Sequence, residues 1–167
     1  MVLDPISILP FEQKHTTSVI SMLTLLAKHH GHTSYLTAEF LHASCLGDSP
    51  LAQCFVAVKH ACCVGFIVTY DRANLLMRQR VCEIDLLFVD QEYRRQGVGT
   101  LLIARAVADA ITRGCHHTVV TAHQNNTGAQ QCYKEGLGFI PHPSHSVPFY
   151  LDARSMNAFV EKHTPRP

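Results

Sequence analysis

One stretch of the sequence, Glu83 to Arg113, places a strand, a polar loop and a helix in direct succession. The strand, Val81 to Val89, is dense in Val, Ile, Leu and Phe and holds almost no turn residues, which is typical of a largely buried strand. A polar break follows from Asp90 to Arg95. From Thr100 the apolar residues no longer alternate, and the pair Arg113-Gly114 is typical of a helix end. The order predicts a strand that leads directly into the N-terminus of a helix.

The loop between these elements is Arg94-Arg95-Gln96-Gly97-Val98-Gly99. At a helix N-terminus several backbone N–H groups lack intrahelical partners and the helix dipole presents positive charge. Glycines allow the main chain to come close to a ligand, and arginines meet phosphate oxygens through paired N–H donors. The loop therefore predicts a binding site for a phosphate or pyrophosphate group.

The glycine spacing distinguishes this loop from other phosphate-binding loops. It lacks the Gly-x-x-x-x-Gly-Lys-Ser/Thr pattern of triphosphate sites and the third glycine of Gly-x-Gly-x-x-Gly dinucleotide sites. It resembles the Arg/Gln-x-x-Gly-x-Gly/Ala loop of the GCN5-related N-acetyltransferase (GNAT) family, with Arg94, Gly97 and Gly99 at the matching positions. The strand end Leu87-Phe88-Val89 and the turn Glu92-Tyr93-Arg94 are also similar to that family.

The resemblance implies an acetyl-CoA-dependent N-acetyltransferase. The residues it implies for acetyl-CoA binding are Leu87, Phe88, Val89, Arg94, Arg95, Gln96, Gly97, Val98, Gly99, Thr100 and Asn126.

A second group of residues downstream supports the resemblance. Asn126-Thr127-Gly128-Ala129, then Tyr133, then Gly138-Phe139 are similar to the family's Asn-x-x-Ala-x-x-x-Tyr followed by Gly-Phe. Because Asn126 and Tyr133 are seven residues apart, an uninterrupted helix would place both on one face. The resemblance implies that Asn126 contacts the pantetheine arm and that Tyr133 is the general acid. The alternative is that Tyr133 only packs on the sheet.

The spacing around this tyrosine departs from the commoner family pattern. Gly138 follows Tyr133 by five residues instead of four, with an additional Gly136 between them. This departure leaves the end of the helix uncertain more than the role of the tyrosine.

An amine must be neutral to attack a thioester, so the site needs a proton acceptor that acts directly or through water. Glu83 and Asp85 are two apart on the predicted strand and therefore share a face. They are candidate catalytic residues with Tyr133, and the alternative is an ion pair with Arg78 or Arg80. His123 is a third candidate base, since the unperturbed pKa of histidine suits the task. Main-chain N–H groups of Leu87 to Val89 are the candidate oxyanion donors.

The pattern of apolar runs predicts an α/β (mixed α+β) fold, as the resemblance does: one domain over residues 1–167 with a central mixed, mostly antiparallel sheet of about six to seven strands flanked by four helices. We expect helices over Phe11–His30, Ser34–Leu46, the central helix and Asn126–Glu135. The predicted strands are Val2–Leu9, Ala52–Val58, Ala61–Tyr70, Val81–Val89, His117–Ala122, Gly138–Ile140 and Val147–Leu151, with Asp71–Arg80 as a polar connection.

Composition narrows the classes of partner. The chain has 167 residues, a formal net charge of +1 and 8% aromatic residues, and it lacks a basic run, so a nucleic-acid partner is not expected. No apolar run has the roughly twenty residues of a membrane span, and the N-terminus lacks the cationic region of a signal peptide, so we expect a cytoplasmic protein without a membrane partner. The 12 histidines form clusters, but carboxylate or thiolate partners at ligand spacing are missing, so we expect no metal.

The acceptor is less defined than the cofactor. The residues around Asp85 and Tyr133 resemble the diamine and polyamine acetyltransferase branch, but Leu86 stands where that branch has a second acidic residue. A small-molecule primary amine is the expected acceptor, with an amino acid, an aminoglycoside or a protein N-terminus as alternatives. A non-catalytic acyl-CoA-binding module is a further alternative. The apolar residues of Met156 to Val160 predict a homodimer built through the C-terminal segment.

Overall fold

A computed structural model describes residues 5–122 and 124–141 of the chain. Within this part the strands are β1 (Ser7–Pro10), β2 (Gln53–Lys59), β3 (Cys62–Asn74), β4 (Gln79–Val89) and β5 (Cys115–Val120). The α-helices are α1 (Thr16–His29), α2 (Ala38–Cys45), α3 (Val98–Thr112) and α4 (Thr127–Gln131), with short 3-10 helices at Gln13–His15 and Gln91–Tyr93 and a π-helical turn at Cys132–Gly136.

The chain forms two compact units that meet in sequence at Thr127 and Gly128. The first unit contains one mixed sheet in the order β1-β2-β3-β4-β5, in which the first three pairings are antiparallel and β4 pairs with β5 in parallel. The predicted fold class and the four α-helices are confirmed, but the count of six to seven strands is wrong for the described residues, where the sheet has five. The prediction of one domain over residues 1–167 stays a prediction.

Helices cover both faces of this sheet. Val56, Phe66 and Phe88 pack with Val19 of α1 and Leu41 of α2 in one core. Residues that alternate with these along the strands point to the opposite face. On that face α3 contacts the sheet, for example where the Arg105 guanidinium lies 4.9 Å from the centre of the Phe55 ring. The central strands are therefore buried on both sides, as their apolar sequence predicts.

Several boundaries differ from the expectations. Asp71–Arg80 is not a connection: β3 continues to Asn74 and β4 begins at Gln79, so the two strands form a long hairpin. The segment is polar because its residues form the exposed ends of β3 and β4, which extend beyond the core and are joined by ion pairs. Residues 138–140 are not a strand, and Val147–Leu151 lies outside the described residues.

Gly65 of β3 lies close both to the neighbouring strand β4 and to Leu102 of α3. A Cβ atom at this position would lie 2.7 Å from the Phe88 carbonyl oxygen and 3.3 Å from Leu102 Cδ1. The backbone oxygen cannot move without disturbing the β3/β4 pairing, so even a methyl group overfills the contact.

Gly65→Ala is expected to lower the free energy of unfolding by roughly 1–3 kcal/mol, the usual cost of overpacking, measured by chemical denaturation. Gly128→Ala is the matched control, because a Cβ there would meet nothing within 4 Å and alanine favours a helix. Equal stability of the Gly65→Ala variant and the parent would contradict the close packing of α3 on β3.

Candidate active site

The end of β4 is the element that builds the site. Strand β5 pairs with β4 only up to Ile84↔Val120, whereas β4 continues to Val89 in contact with β3. Along Asp85 to Val89, no strand in the described part of the chain pairs with the second edge of β4. Backbone N–H and C=O groups on such an edge are a template for an extended ligand.

A β-bulge marks the start of this part of β4. Val68 is opposite Leu86 and the next residue, Thr69, is opposite Ile84, so Asp85 is the additional residue of β4. Bulges bend a strand and redirect a side chain, and they are frequent beside active sites. The bulge places the Asp85 side chain, which is solvent-exposed, where β4 separates from β5.

Glu83 and Asp85 lie close together, as their spacing predicts. Although Asp85 is exposed overall, partial burial of its carboxyl group raises the pKa of this group above its usual value, and the neighbouring Glu83 raises it further. Glu83 accepts a hydrogen bond of 3.2 Å at Oε2 from Nε of Arg72 on β3. The expected ion pair therefore exists, but its partner is neither Arg78 nor Arg80.

Arg80 has different partners. It donates from Nη1 to the Arg113 carbonyl oxygen at 2.8 Å and lies 3.9 Å from Asp71. Arg113 in turn donates from Nε and Nη2 to the two Asp71 carboxylate oxygens at 2.9 Å each, which lowers the pKa of Asp71. These contacts join the end of α3 to the hairpin and leave Arg72 as the cation beside Glu83.

The loop after β4 has the geometry expected of a phosphate site. Gly97 has φ +82° and stands at the N-cap of α3, a left-handed conformation that glycine adopts without steric cost. A Cβ at Gly97 would meet nothing within 4 Å, and one at Gly99 would meet only Val89 Cγ2, at 3.8 Å. The space in front of the glycines is open. The N–H groups of Val98, Gly99 and Thr100 belong to the first helical turn, where intrahelical acceptors do not exist.

Two side chains brace this loop. Arg94 donates from Nε to the Val89 carbonyl oxygen at 2.9 Å, and its guanidinium lies 6.0 Å from the centre of the Phe88 ring. Gln96 donates from Nε2 to the Glu92 carbonyl oxygen at 2.7 Å. Arg95, which is exposed, has φ +61°, a rare conformation for a residue with a side chain. The donor set of N–H groups and guanidinium groups fits a pyrophosphate group.

The second unit holds Tyr133. Its ring centre lies 5.9 Å from that of Phe139, and its carbonyl oxygen accepts a 2.8 Å hydrogen bond from the Phe139 N–H. Burial raises the pKa of the Tyr133 hydroxyl, so it remains protonated through the neutral range. The π-helical turn at Cys132–Gly136 accounts for the unusual spacing, because such a turn takes up one residue more than an α-helical turn.

Asn126 and His123 are the two remaining candidate residues. Asn126 is exposed and belongs to the first unit. It immediately precedes α4 in the sequence. The helix expected from Asn126 to Glu135 is present in two parts, α4 (Thr127–Gln131) and the π-helical turn that follows it (Cys132–Gly136). His123 lies outside the described residues.

Sequence reasoning missed Tyr70 and Arg72. Both are on β3, on the face that carries Glu83, because Tyr70 is the cross-strand partner of Glu83 and Arg72 is two residues further on. The signal was present in the alternation of Tyr70 and Arg72, but it required the hairpin register to be known.

Comparison with known proteins identifies the family. The model of the Acetyltransferase (GNAT) family matches residues 18–139. The chain therefore belongs to the GNAT family of acetyltransferases, as the loop and the tyrosine motif predict.

The individual relatives match only part of this chain. N-alpha-acetyltransferase 30 of Xenopus laevis is 35% identical over 88 residues, which are 52% of this chain and 31% of the relative. Thialysine N-epsilon-acetyltransferase of Bos taurus is 26% identical over 107 residues, 59% of this chain and 62% of that protein. The chain thus spans less than two thirds of the length of either relative.

Solved structures agree with the fold. A ribosomal-protein-alanine N-acetyltransferase from Brucella melitensis biovar Abortus 2308 superimposes with a TM-score of 0.70 at 19% identity, covering 86% of this chain and 99% of that one. An aminoglycoside acetyltransferase from an uncultured soil metagenomic sample, in complex with sisomicin, gives 0.73 at 18% identity, covering 88% and 97%. At these identities the similarity shows the fold alone.

The described residues, 5–122 and 124–141, contain neither a candidate membrane span nor a candidate metal cluster. No helix there is both long and apolar enough to cross a bilayer. Nor do three or more His, Cys, Asp or Glu side chains in residues 5–122 and 124–141 come together as a possible metal site.

Proposed function

We propose that the protein is an acetyl-CoA-dependent N-acetyltransferase that transfers the acetyl group to a primary amine of a small molecule, without a metal. The observation that carries the proposal is the open glycine loop at the N-terminus of α3, with left-handed Gly97 and the exposed arginines Arg94 and Arg95. Unpaired N–H groups and cationic side chains are what a pyrophosphate requires. Asn126 completes the proposed set on the strength of the family resemblance.

The residues support direct attack of the amine on the thioester. The acceptor ammonium binds next to Asp85, and its proton passes to Glu83 directly or through a water molecule, which leaves a neutral amine nucleophile. The nitrogen forms a bond to the acetyl carbon, and the developing oxyanion accepts hydrogen bonds from main-chain N–H groups of Leu87 to Val89. The carbon–sulfur bond then breaks, and Tyr133, in the role that the family resemblance implies, gives its proton to the departing thiolate. The nitrogen loses its second proton to water, which leaves a neutral amide and restores the tyrosine.

The acidic pair supports a cationic acceptor. Asp85 is exposed at the bulge and has Glu83 as a second negative charge beside it, and opposite charge attracts an ammonium group. A diamine or polyamine fits this pair. The α-amine of a peptide is the second candidate, supported by the 35% identity to N-alpha-acetyltransferase 30.

Two features of the proposal depend on the sequence only. Cytoplasmic location remains an expectation. A homodimer also remains a proposal, since the segment that prompts it, Met156 to Val160, lies outside the described residues.

Release of free thiol tests the proposed function. Purified protein is incubated with acetyl-CoA and, separately, with putrescine, spermidine, free amino acids, an aminoglycoside and short peptides with free N-termini. We expect thiol release with at least one amine, far above the rate without acceptor, and a product heavier by one acetyl group. Tight acetyl-CoA binding without turnover of any amine would instead identify an acyl-CoA-binding module.

Substitution of the two carboxylates is expected to separate their roles. Asp85→Asn should raise the acceptor KM about tenfold at pH 7, because about 1.4 kcal/mol of charge attraction to the ammonium is lost. Glu83→Gln should mainly lower kcat, and its deficit should shrink as pH rises, because more of the amine is then already neutral. Steady-state kinetics between pH 7 and 10 measure both effects.

Asp85 adds a pH dependence with a defined sign. Its pKa is raised, so as pH falls it becomes protonated sooner than an ordinary aspartate, and the acceptor KM should rise at the acid end of the profile. This rise should be missing in Asp85→Asn. A kcat loss in Asp85→Asn with unchanged KM would reverse the two assignments.

A further inference from the structure

Four side chains form a connected group on one face of the β3/β4 hairpin. Tyr70 and Glu83 are directly opposite each other, and Arg72 and Asp85 are their neighbours along the two strands. Tyr70, Arg72 and Glu83 share this face because residues two apart on a regular strand do so, and opposed residues on paired strands do as well. Asp85 is the residue of the bulge, and its place beside the others is indicated by its effect on the pKa of the Tyr70 hydroxyl. On the other side of β4, Glu83 pairs with Val119 of β5, which is uncharged.

The contacts within this group converge on the Glu83 carboxylate. Arg72 Nε donates to Glu83 Oε2 at 3.2 Å, and Tyr70 is directly opposite Glu83 on the paired strand. Burial raises the pKa of Tyr70, Glu83 and Asp85 raise it further, and Arg72 opposes them. Tyr70 therefore keeps its proton at neutral pH and acts as a hydrogen-bond donor.

We propose that Tyr70 is a positioning residue of the acetyl-transfer reaction: with Arg72 it fixes the Glu83 carboxylate in the orientation that receives the acceptor's proton. This inference rests on the proposed function. The proton moves from the ammonium nitrogen to Glu83, directly or through water, while Tyr70 and Arg72 keep their own protons.

The physical reason is the freedom of an unbraced glutamate. Glu83 is only half-buried, and a long side chain at such a site samples several rotamers. A base works only within hydrogen-bond reach of the proton it takes, and small misplacements cost large factors in rate. A base oriented by a further group is a recurring arrangement in enzymes. Here Arg72 supplies one donor to the carboxylate, and the hydroxyl of Tyr70, the residue directly opposite Glu83, is the proposed second donor.

Single substitutions give the first test. Tyr70→Phe should lower kcat about tenfold, with the acceptor KM and the acetyl-CoA affinity changed less than twofold. Arg72→Lys should retain more activity than Arg72→Met, because lysine keeps one charged donor. Tyr35→Phe is the matched control, since Tyr35 is 88% exposed, and it should match the parent. A rise in KM alone after Tyr70→Phe would overturn the positioning role.

A double-mutant cycle gives the sharper test. If Tyr70 acts through Glu83, then Tyr70→Phe should change kcat less than twofold in a Glu83→Ala background. A merely structural tyrosine would cause the same loss in both backgrounds. Full additivity of the two losses overturns the proposal, and thermal melting checks that each variant is folded.

An NMR titration of Tyr70 tests the proposal without requiring turnover. With tyrosine labelled by ¹³C at Cζ, the Tyr70 resonance is assigned from its loss in Tyr70→Phe and followed against pH by NMR. Glu83→Gln should lower the Tyr70 titration midpoint, because the carboxylate that disfavours tyrosinate is gone. An unmoved midpoint overturns the contact with Glu83. A parent inactive with every amine overturns the proposed function instead, and the titration still decides whether Tyr70 holds Glu83.

Discussion

Gly97→Glu is expected to weaken acetyl-CoA binding at least tenfold while the protein stays folded. The substitution puts a carboxylate into the open space in front of the α3 N-terminus, where it competes with the pyrophosphate for the same N–H groups. Loss of about 1.4 kcal/mol of phosphate contact is sufficient for a tenfold change. Isothermal titration calorimetry with acetyl-CoA measures the affinity directly.

The same helix offers a matched control at its other end. Gly114 follows α3, has φ +78°, and a Cβ there would also meet nothing within 4 Å. Gly114→Glu therefore introduces the same left-handed strain and the same charge away from the loop. We expect its acetyl-CoA affinity to equal that of the parent. Equal losses in both variants would point to backbone strain, and unchanged affinity in Gly97→Glu would mean that acetyl-CoA does not use this loop.

The cofactor loop was predictable because its signals are local. Apolar residues up to Val89, glycines at 97 and 99 and the cationic helix end each constrain the chain within a few residues. The structure places the helix start at Val98, two residues earlier than Thr100, the first residue of the predicted helix. Local signals thus fixed the element types and left boundaries uncertain by one or two residues.

The acceptor side of the site was less predictable because its side-chain contacts depend on the pairing register of β3 and β4. Whether Glu83 meets Arg72, Arg78 or Arg80 depends on where β3 turns back, and the turn residues Leu75 to Arg78 include neither glycine nor proline. The Asp85 bulge has the same character, since one unpaired residue changes which side chains face each other without changing the apolar pattern. Pairing across strands had to be observed before Tyr70 and Arg72 could be assigned a role.

The Tyr133 motif was predictable in part. The residue types Asn126, Tyr133 and Phe139 were recognisable, but the additional Gly136 made the helix end ambiguous. A π-helical turn resolves that ambiguity by taking up the additional residue within the helix. Such turns have little sequence signal, so the sequence predicted a helix up to Glu135 without the change from α-helical to π-helical geometry.

Tyr133→Phe is expected to lower turnover on the order of a hundredfold and to leave acetyl-CoA affinity nearly unchanged. The phenylalanine keeps the ring that packs 5.9 Å from Phe139 and removes only the hydroxyl. General acid catalysis is typically worth about 10² to 10⁴ in rate, so the effect belongs in kcat. Stopped-flow detection of free thiol under single-turnover conditions separates the chemical step from product release.

Packing and proton donation can be distinguished with a complementary variant. Phe139→Leu disturbs the ring contact but keeps the Tyr133 hydroxyl, so its kcat should fall far less than that of Tyr133→Phe. A general acid must be protonated, and burial raises the pKa of Tyr133, so the parent should keep its activity to a higher pH than an ordinary tyrosine allows and then lose it. Tyr133→Phe should lack this basic decline. Turnover of Tyr133→Phe at the parent rate with every acceptor would show that the thiolate takes its proton from solvent or from another residue.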